Sequence, residues 1–511
     1  MNILKLTYVL FKLNILSPKG LSRLIMALFQ CGINAMTLLQ FAGTSYSKKI
    51  ALVDDEETLT YAQLRMQSEN LATIFSERYE LRSGKRVAFL CRNHASFVKA
   101  IFSVSRTGAD VCFLNTELGQ NQMIQVLDEL DIDLLVCDVD FISVVEKSNY
   151  HQKIVVSYHD ELPAINRFVL EKQEGQKLQR ASSSKMLLRT GGTTGKAKEV
   201  AHRPSIFTYL NPFIGLLTRL KLLRYETTYV ATPIYHGYGL AVLFLFIALG
   251  KKIVVSKGFE AERACTLIRE HKIEVVTVVP LMLQKMLKHN VDDLKTLHCI
   301  ASGSAVLTPK LVDEVLLKLG NIIYNLYGTS ETGLNIIATP QDLQDSATTL
   351  GRKIKGVPFT ILDSGKRKVD VGTIGQFCMK EKNNWIETGD MGYQDENGYY
   401  YLSGRIDDMI VSAGVNVYPV EVEQILIQHP YVAEVAVIGV VDAQFGNRLQ
   451  AYVQPMKDAS LSTQELYEWL RRRAARFQMP KDIVLIDQMP YTPLGKVDKQ
   501  RLRSAEVGHG G

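Results

Sequence analysis

From residue 85 onward, short, mainly apolar β-like runs alternate with longer runs that are apolar on one face only. KRVAFLC (85–91), ADVCFLN (109–115), DLLVCD (133–138), KIVVS (153–157) and KMLLR (185–189) read as strands, as do TTYVAT (227–232), KIVVS (252–256), EVVTVVP (274–280), HCIAS (298–302) and NIIYNLYG (321–328). Between many of them lie amphipathic stretches of helical length, such as 259–271 and 308–319. Strands without a polar face, separated by helices, predict parallel sheets covered on both sides. The pattern therefore predicts an α/β fold with two doubly wound layers. GLAVLFLFIALG (239–250) is too short to cross a bilayer and reads as a buried helix.

The texture changes after residue 350. GRKIKGVPFTILDSGKRKVDVGTIGQFCMK carries turn residues every few positions, which predicts a small β-barrel region. Asn397-Gly398, set between aromatic strands, predicts a type I′ hairpin. Pro419 can open a helix over PVEVEQILIQH, VAEVAVIGV and RLQAYVQP read as strands, and TQELYEWLRRRAARF as a final helix. The expected organisation is an N-terminal segment (1–44), a large domain of two α/β subdomains plus the β region (45–406), and a small α+β C-terminal domain (407–511).

Composition changes this picture little: 46% hydrophobic and 22% charged residues are globular values. The net charge of +6 matters for its location. Lys5, Lys12, Lys19, Arg23, Lys48 and Lys49 precede residue 50 with no acidic residue among them, and they equal the whole surplus. The remainder is balanced, which excludes the basic stripe of a nucleic-acid binder. The seven cysteines are widely spaced without a CxxC pair, as expected of buried reduced thiols in a cytoplasmic protein. At the N-terminus, Leu21, Leu24, Ile25, Leu28 and Phe29 fall at helical spacing. Two readings stand for residues 1–44: a helix packed on the body, or a peripheral membrane contact. A cleaved signal peptide fits less well, because no small-residue cleavage site follows the first apolar run.

Candidate chemistry begins with LLRTGGTTGKAKEV (187–200). A Walker loop needs glycine five residues before Gly195, where Thr190 stands, and a hydroxyl after Lys196, where Ala197 stands. That reading fails. Thr190, Gly191, Gly192, Thr193, Thr194, Gly195, Lys196 and Lys198 remain, which suit a loop over pyrophosphate or a flexible linker. NLYGTSETG (325–333) offers Tyr327 to stack on a base, Ser330 for a phosphate and Glu331 for Mg²⁺; otherwise it is a polar turn. In WIETGDMGY (385–393), Asp390 could accept from ribose hydroxyls. Arg405 ends the hairpin, Asp407 and Asp408 open the small domain, and Lys496 sits in the Pro/Gly turn of PLGKVDKQRLR.

Taken in order, these pieces resemble the adenylate-forming superfamily that holds acyl-CoA synthetases, peptide-synthetase adenylation domains and firefly luciferase. The resemblance covers roughly residues 45 to 505 and rests on Thr190–Lys198, Tyr327–Glu331 (with Gly328, Thr329 and Ser330), Thr388–Asp390, Gly404–Asp408 and Lys496. It implies a ligase that uses ATP, Mg²⁺ and CoA. A carboxylate attacks the α-phosphate to give an acyl-adenylate, and the CoA thiol then takes the acyl group. It implies Lys496 at the carboxylate and α-phosphate, Arg405 and Asp390 at the nucleotide, Glu331 with Thr193 at the metal, and Gly303 beside adenine. His236 would stand at the acyl–thioester junction. Asp407 would be the hinge of a mobile small domain, and Ser412, Ala413 and Gly414 the CoA-side loop.

Three positions depart from the family pattern: Ala197 for proline, Glu199 for glycine and Val411 for lysine. TPIYHGYGL offers Tyr235 and His236 but no carboxylate to pair with an amine, which argues against an amino-acid substrate. The segment DDMIVSAGVNVYPVEVE is most similar to the fatty-acid branch, so a medium- to long-chain fatty acid is the expected substrate. Transfer to a carrier protein, an aryl acid, and a relative that has lost activity are the alternatives. Nothing in the chain indicates an oligomeric state.

Overall fold

The computed structural model describes residues 7, 9–11, 15–171, 178–181, 185–190, 198–202, 206–382, 384–412, 415–442, 446–492 and 495–507. By internal packing the chain divides into two compact units, Met1–Val278 with Met286–Ala301, and Val279–Lys285 with Ser302–Gly511.

The first unit contains two largely parallel sheets, as the uninterrupted apolar runs require. One has the order Lys153–Val156, Leu134–Cys137, Arg86–Leu90, Asp110–Phe113, Met186–Thr190, Lys198–His202, parallel except for the last strand. Its core gathers Ala88, Leu90, Cys112, Leu135, Cys137 and Leu187. In the other, Val275–Val278, Thr227–Val230, Lys252–Val254 and Ile50–Val53 lie side by side in parallel, and Thr58–Thr60 turns back antiparallel. GLAVLFLFIALG is the buried helix expected, Gly237–Leu249, and no described helix is long and apolar enough to cross a membrane.

The second unit holds three antiparallel groupings. Ile323–Thr329 pairs with Gly333–Ala338, which pairs with Arg352–Lys353. Phe359–Leu362, Gly375–Glu381, Asn384–Gln394 and Tyr400–Arg405 form a four-stranded meander, the β region expected after residue 350. A last sheet orders Val415–Val417, Ile410–Ser412, Gly446–Pro455 and Val432–Asp442, with Asp482–Leu485 parallel to Gly446–Pro455. Helices Pro419–Leu426 and Thr463–Arg471 cover it, and the shared core runs from Ile410 through Val437 and Leu466 to Ile483.

The α/β fold class is the one the pattern predicts, and two local expectations are corrected here. The 397–398 hairpin forms, but only Gly398 has positive φ (+82°), whereas a type I′ turn needs it at both central residues. A wider loop replaces it, in which the Asp395 carboxylate accepts from the Tyr399 N–H at 2.8 Å. The helix expected over TQELYEWLRRRAARF ends at Arg471, after its last fully buried leucine, Leu470. All seven cysteines are buried and none is bridged, as expected.

Candidate active site

Within the second unit, five of the sequence-selected residues come together. NLYGTSETG follows the expected strand and turns back as a β-hairpin: Tyr327 to Thr329 lie inside Ile323–Thr329, and the chain returns at once as Gly333–Ala338. Gly328 is required here, because a Cβ would stand 2.3 Å from the Gly333 carbonyl oxygen. Thr332 donates its N–H to Thr329 Oγ1 at 3.2 Å, and Asn335 Nδ2 reaches Thr332 Oγ1 at 2.6 Å. This stitching holds Glu331 exposed at the tip. Its carboxylate has no hydrogen-bond partner among the described residues, and Ser330 and Thr329 flank it half-buried.

Asp390 is buried at the turn of the long strand Asn384–Gln394. Its Oδ2 accepts the Tyr327 hydroxyl at 2.6 Å, and its Oδ1 faces Arg405 Nη1 at 3.1 Å. Strand register causes the second contact, since Asp390 and Arg405 are direct cross-strand partners. Gly389 leaves room for the guanidinium: a Cβ there would meet Arg405 Nη2 at 2.6 Å. Burial pushes the Asp390 carboxyl above the usual range; the Tyr327 hydroxyl, Arg405 and Lys496 oppose the shift and Glu331 adds to it. Burial also works against the Arg405 charge, but Asp390, Asp407 and Asp408 outweigh it and hold the guanidinium above its ordinary pKa. The Tyr327 ring stands edge-on to Phe377 and Phe359, its centroid 5.6 Å and 6.2 Å from theirs.

Lys496 sits on a closed turn. Thr492 N–H donates to the Lys496 carbonyl at 2.7 Å, Gly495 N–H to Thr492 at 2.9 Å, and Gly495 takes φ +75°. The residue as a whole is exposed, yet its ammonium end lies among neighbours that exclude water. That desolvation lowers its pKa below the ordinary value; Asp390 partly restores it and Arg405 depresses it further. Asp407 follows in a short helical turn with Oδ2 3.4 Å from Arg405 Nη2, and Asp408 pairs with Arg503 at 3.7 Å. Ser412 closes the strand Ile410–Ser412; Ala413 and Gly414 lie outside the described residues. Gly303 ends the strand Cys299–Gly303, preceded by Ser302, whose buried hydroxyl finds no partner among the described residues.

Other selected residues belong to the first unit. Thr190 pairs with Lys198 and Arg189 with Glu199 in antiparallel register. Gly191, Gly192, Thr193, Thr194, Gly195, Lys196 and Ala197 lie outside the described residues. His236 immediately precedes the helix Gly237–Leu249, its ring 4.5 Å from that of Tyr235. Sequence reasoning passed over the residue that shapes this turn, Asn93. Its Oδ1 accepts from Ile234 N–H at 2.7 Å and its Nδ2 donates to the Thr232 carbonyl at 3.0 Å. A lone asparagine after a strand carries no sequence signal for such a distant contact. Cys91, His94 and Asp138 also converge, but they do not make a metal site. His94 Nδ1 accepts from Phe97 N–H at 3.0 Å and Nε2 meets Asp138 at 2.7 Å, so no ring nitrogen is left for an ion.

Comparison with known proteins gives the same outline. Residues 39–385 match the AMP-binding enzyme family and residues 421–496 the C-terminal domain of AMP-binding enzymes. The chain is 27% identical over 482 residues to a 2-succinylbenzoate–CoA ligase of Bacillus subtilis (strain 168), across 90% of this chain and 96% of that one. It is 28% identical over 482 residues to the fatty acid–[acyl-carrier-protein] ligase ScoC of Streptomyces coeruleorubidus, across 89% and 92%. The solved o-succinylbenzoate CoA synthetase from Bacillus subtilis, bound to its acyl-adenylate, superposes with a TM-score of 0.79 at 24% identity. That match covers 91% of this chain and 97% of the other.

Proposed function

The chain belongs to the AMP-binding enzyme family, and on that premise we propose that it activates a fatty acid with ATP and passes the acyl group to CoA. It is an AMP-forming acid–thiol ligase by family. One observation carries the reading: buried Asp390 accepts the Tyr327 hydroxyl at 2.6 Å and faces half-exposed Arg405 at 3.1 Å, and the charge of Lys496 acts on the same carboxylate. Two cations directed at one carboxylate leave positive charge for an incoming anion.

In the first step a carboxylate oxygen attacks the α-phosphorus of ATP. A C(O)–O–P bond forms, and the bond to the leaving pyrophosphate breaks. Two anions must meet, so the residues act by placing positive charge and excluding water. Lys496 bridges the carboxylate and the α-phosphate, and Arg405 adds a second cation. Asp390 accepts from the ribose hydroxyls, held in place by the Tyr327 hydroxyl. Thr190 to Lys198 cover the β- and γ-phosphates, and Gly303, Gly328, Thr329 and Ser330 line the nucleotide. Glu331 suits a magnesium ion, since its carboxylate is exposed and without a partner among the described residues; with Thr193 it would hold the ion, which neutralises phosphate charge.

In the second step the thiol of CoA attacks the adenylate carbonyl and AMP leaves. We assign the small domain to 407–511, after a large domain at 45–406 and the segment 1–44; the core from Ile410 to Ile483 supports that boundary. Rotation about Asp407 then withdraws Lys496 and presents Ser412 to Gly414, with His236 at the reacting carbonyl.

A fatty acid is favoured because DDMIVSAGVNVYPVEVE (407–423) is most similar to that branch, and an amino acid is set aside because Thr232 to Leu240 hold no carboxylate to pair with an amine. The Bacillus subtilis relative, named for 2-succinylbenzoate, favours an aryl acid as the second reading, and ScoC, named for a carrier protein, favours that acceptor. Pyrophosphate release measured over a panel of fatty and aryl acids, with and without CoA, separates these. Acid-dependent release with acyl-CoA formed from a fatty acid is expected. No acid-dependent release sinks the ligase reading, and release without acyl-CoA moves the acceptor to a carrier protein.

A further inference from the structure

The helix Pro18–Cys31 turns its large apolar side chains outward. Ser17 caps it by accepting the Gly20 N–H at 3.0 Å. At its other end Asn34 Nδ2 donates to Cys31 O at 2.8 Å and to Ala181 O at 3.2 Å, and Thr37 Oγ1 donates to Gly32 O. The face that is buried is made of small residues, Gly20, Ala27 and Cys31. The opposite face repeats every fourth residue: Leu21 (50% exposed), Ile25 (57%), Phe29 (75%) and, just beyond the helix, Ile33 (50%). Met26, Leu16 and Phe11 are also more than half open or equal to it.

Single exposed apolar residues are ordinary, but a continuous stripe on a firmly docked helix is not. At 100° per residue, Met26, Lys19, Gln30 and Arg23 follow in turn on the arc that leads from Phe29 round to the buried face. No acidic residue occurs before residue 50. The helix is too short to cross a bilayer. An apolar stripe on a helix whose only charges are cations on its polar arc, with no anion near it in sequence, fits a surface that is greasy below and negative above.

We propose that the Leu21–Ile25–Phe29–Ile33 stripe, with Lys19 and Arg23, seats this protein on the surface of an anionic phospholipid bilayer. The helix lies in the plane of the interface, and the rest of the chain stays in water. The proposal stands apart from the ligase reading, because it concerns a face outside the residues assigned to the reaction.

The test is co-sedimentation of the full chain with vesicles of phosphatidylcholine, alone or mixed with phosphatidylglycerol. Binding to the mixed vesicles is expected to exceed binding to the neutral ones and to weaken with salt. The double variant Ile25→Gln/Phe29→Gln changes only exposed side chains and is expected to lose about tenfold or more in vesicle affinity. Lys19→Glu/Arg23→Glu is expected to lose about tenfold on mixed vesicles alone. Acid-dependent pyrophosphate release in vesicle-free solution is expected to stay unchanged in both. Three results overturn the proposal: no binding to mixed vesicles, equal binding by all variants, or equal binding to both vesicle types. A concentration-dependent dimer that Ile25→Gln/Phe29→Gln abolishes also overturns it, since a second copy would then own the stripe.

Discussion

Asp138 in the first unit and Asp390 in the second are buried alike, 8% and 7% exposed, yet their carboxyls shift in opposite directions. Burial penalises both charges. At Asp138 it is outweighed by His94 at 2.7 Å, the Arg92 N–H at 2.9 Å and the Ser157 hydroxyl at 2.5 Å, so the carboxyl is held low. At Asp390 the Tyr327 hydroxyl and Arg405 do not suffice, and Glu331 adds repulsion, so the carboxyl is pushed up. The first aspartate has every donor it needs. The second retains acceptor capacity that two further hydroxyl donors from a ribose would satisfy. Lysines show the same contrast: Lys99 is buried against Glu57 at 2.6 Å and Gln67 at 3.1 Å, whereas Lys496 has no ion pair among the described residues and is held low by desolvation, which Asp390 only partly offsets and Arg405 reinforces. A saturated polar cluster holds a fold together, and an unsaturated one is kept for a ligand.

The largest effect that tests this contrast is expected at Lys496. Lys496→Ala should lower acid-dependent pyrophosphate release about 10²- to 10³-fold, as loss of one transition-state charge contact does. Thioester formation from supplied acyl-adenylate and CoA should fall far less. Equal loss of both would remove Lys496 from the first step.

Paired substitutions come next. Asp390→Asn should raise the KM for ATP about tenfold or more with little change in the denaturation midpoint. Asp138→Asn should do the reverse, costing about 1–3 kcal/mol of stability while ATP binding is unchanged, because it disrupts a satisfied buried network. If both variants lost stability and neither changed the KM, the functional reading of Asp390 would fail. Tyr327→Phe is a milder probe. It removes a donor from Asp390, drives that carboxyl further upward, and should weaken ATP about three- to tenfold by the same kinetic measure.

The smallest effect is a change of pH profile. Lys496 is depressed below the ordinary lysine value of 10.5, so the free enzyme sheds this proton early as pH rises. The rate constant kcat/KM for pyrophosphate release should then fall through an alkaline limb below 10.5. Lys496→Arg stays charged throughout and should lack that limb; an identical limb in the variant would assign it to another group.

Much of the fold was legible in the chain. Runs such as VAFL (87–90) and LLVC (134–137) are buried on both faces, so they carry no polar position to confuse strand with loop. Gly333–Ala338 was missed because GLNIIA follows directly on a motif dense in turn residues, and no spacing separates a hairpin from a strand-end loop there. The type of the 397–398 turn was misjudged because the Asp395 carboxylate, outside the dipeptide, organises a wider loop. The candidate site was legible as a set of residues, since Glu331, Asp390, Arg405 and Lys496 each sit in a recognisable local motif. Their mutual geometry was not: the Tyr327 hydroxyl on Asp390 depends on a contact between residues 63 apart in sequence.

The N-terminal helix marks the same limit. Local sequence determined that residues 18–31 are helical, through the Ser17 cap, Pro18 in the first turn and Gly32 at the end. It also determined how large and small apolar side chains are distributed around the axis. Which of those faces docks was decided only by tertiary packing. Periodicity sets the angle between faces, but packing on the rest of the chain buries the face carrying Gly20, Ala27 and Cys31. Leu21, Ile25 and Phe29 are left facing outward as a consequence.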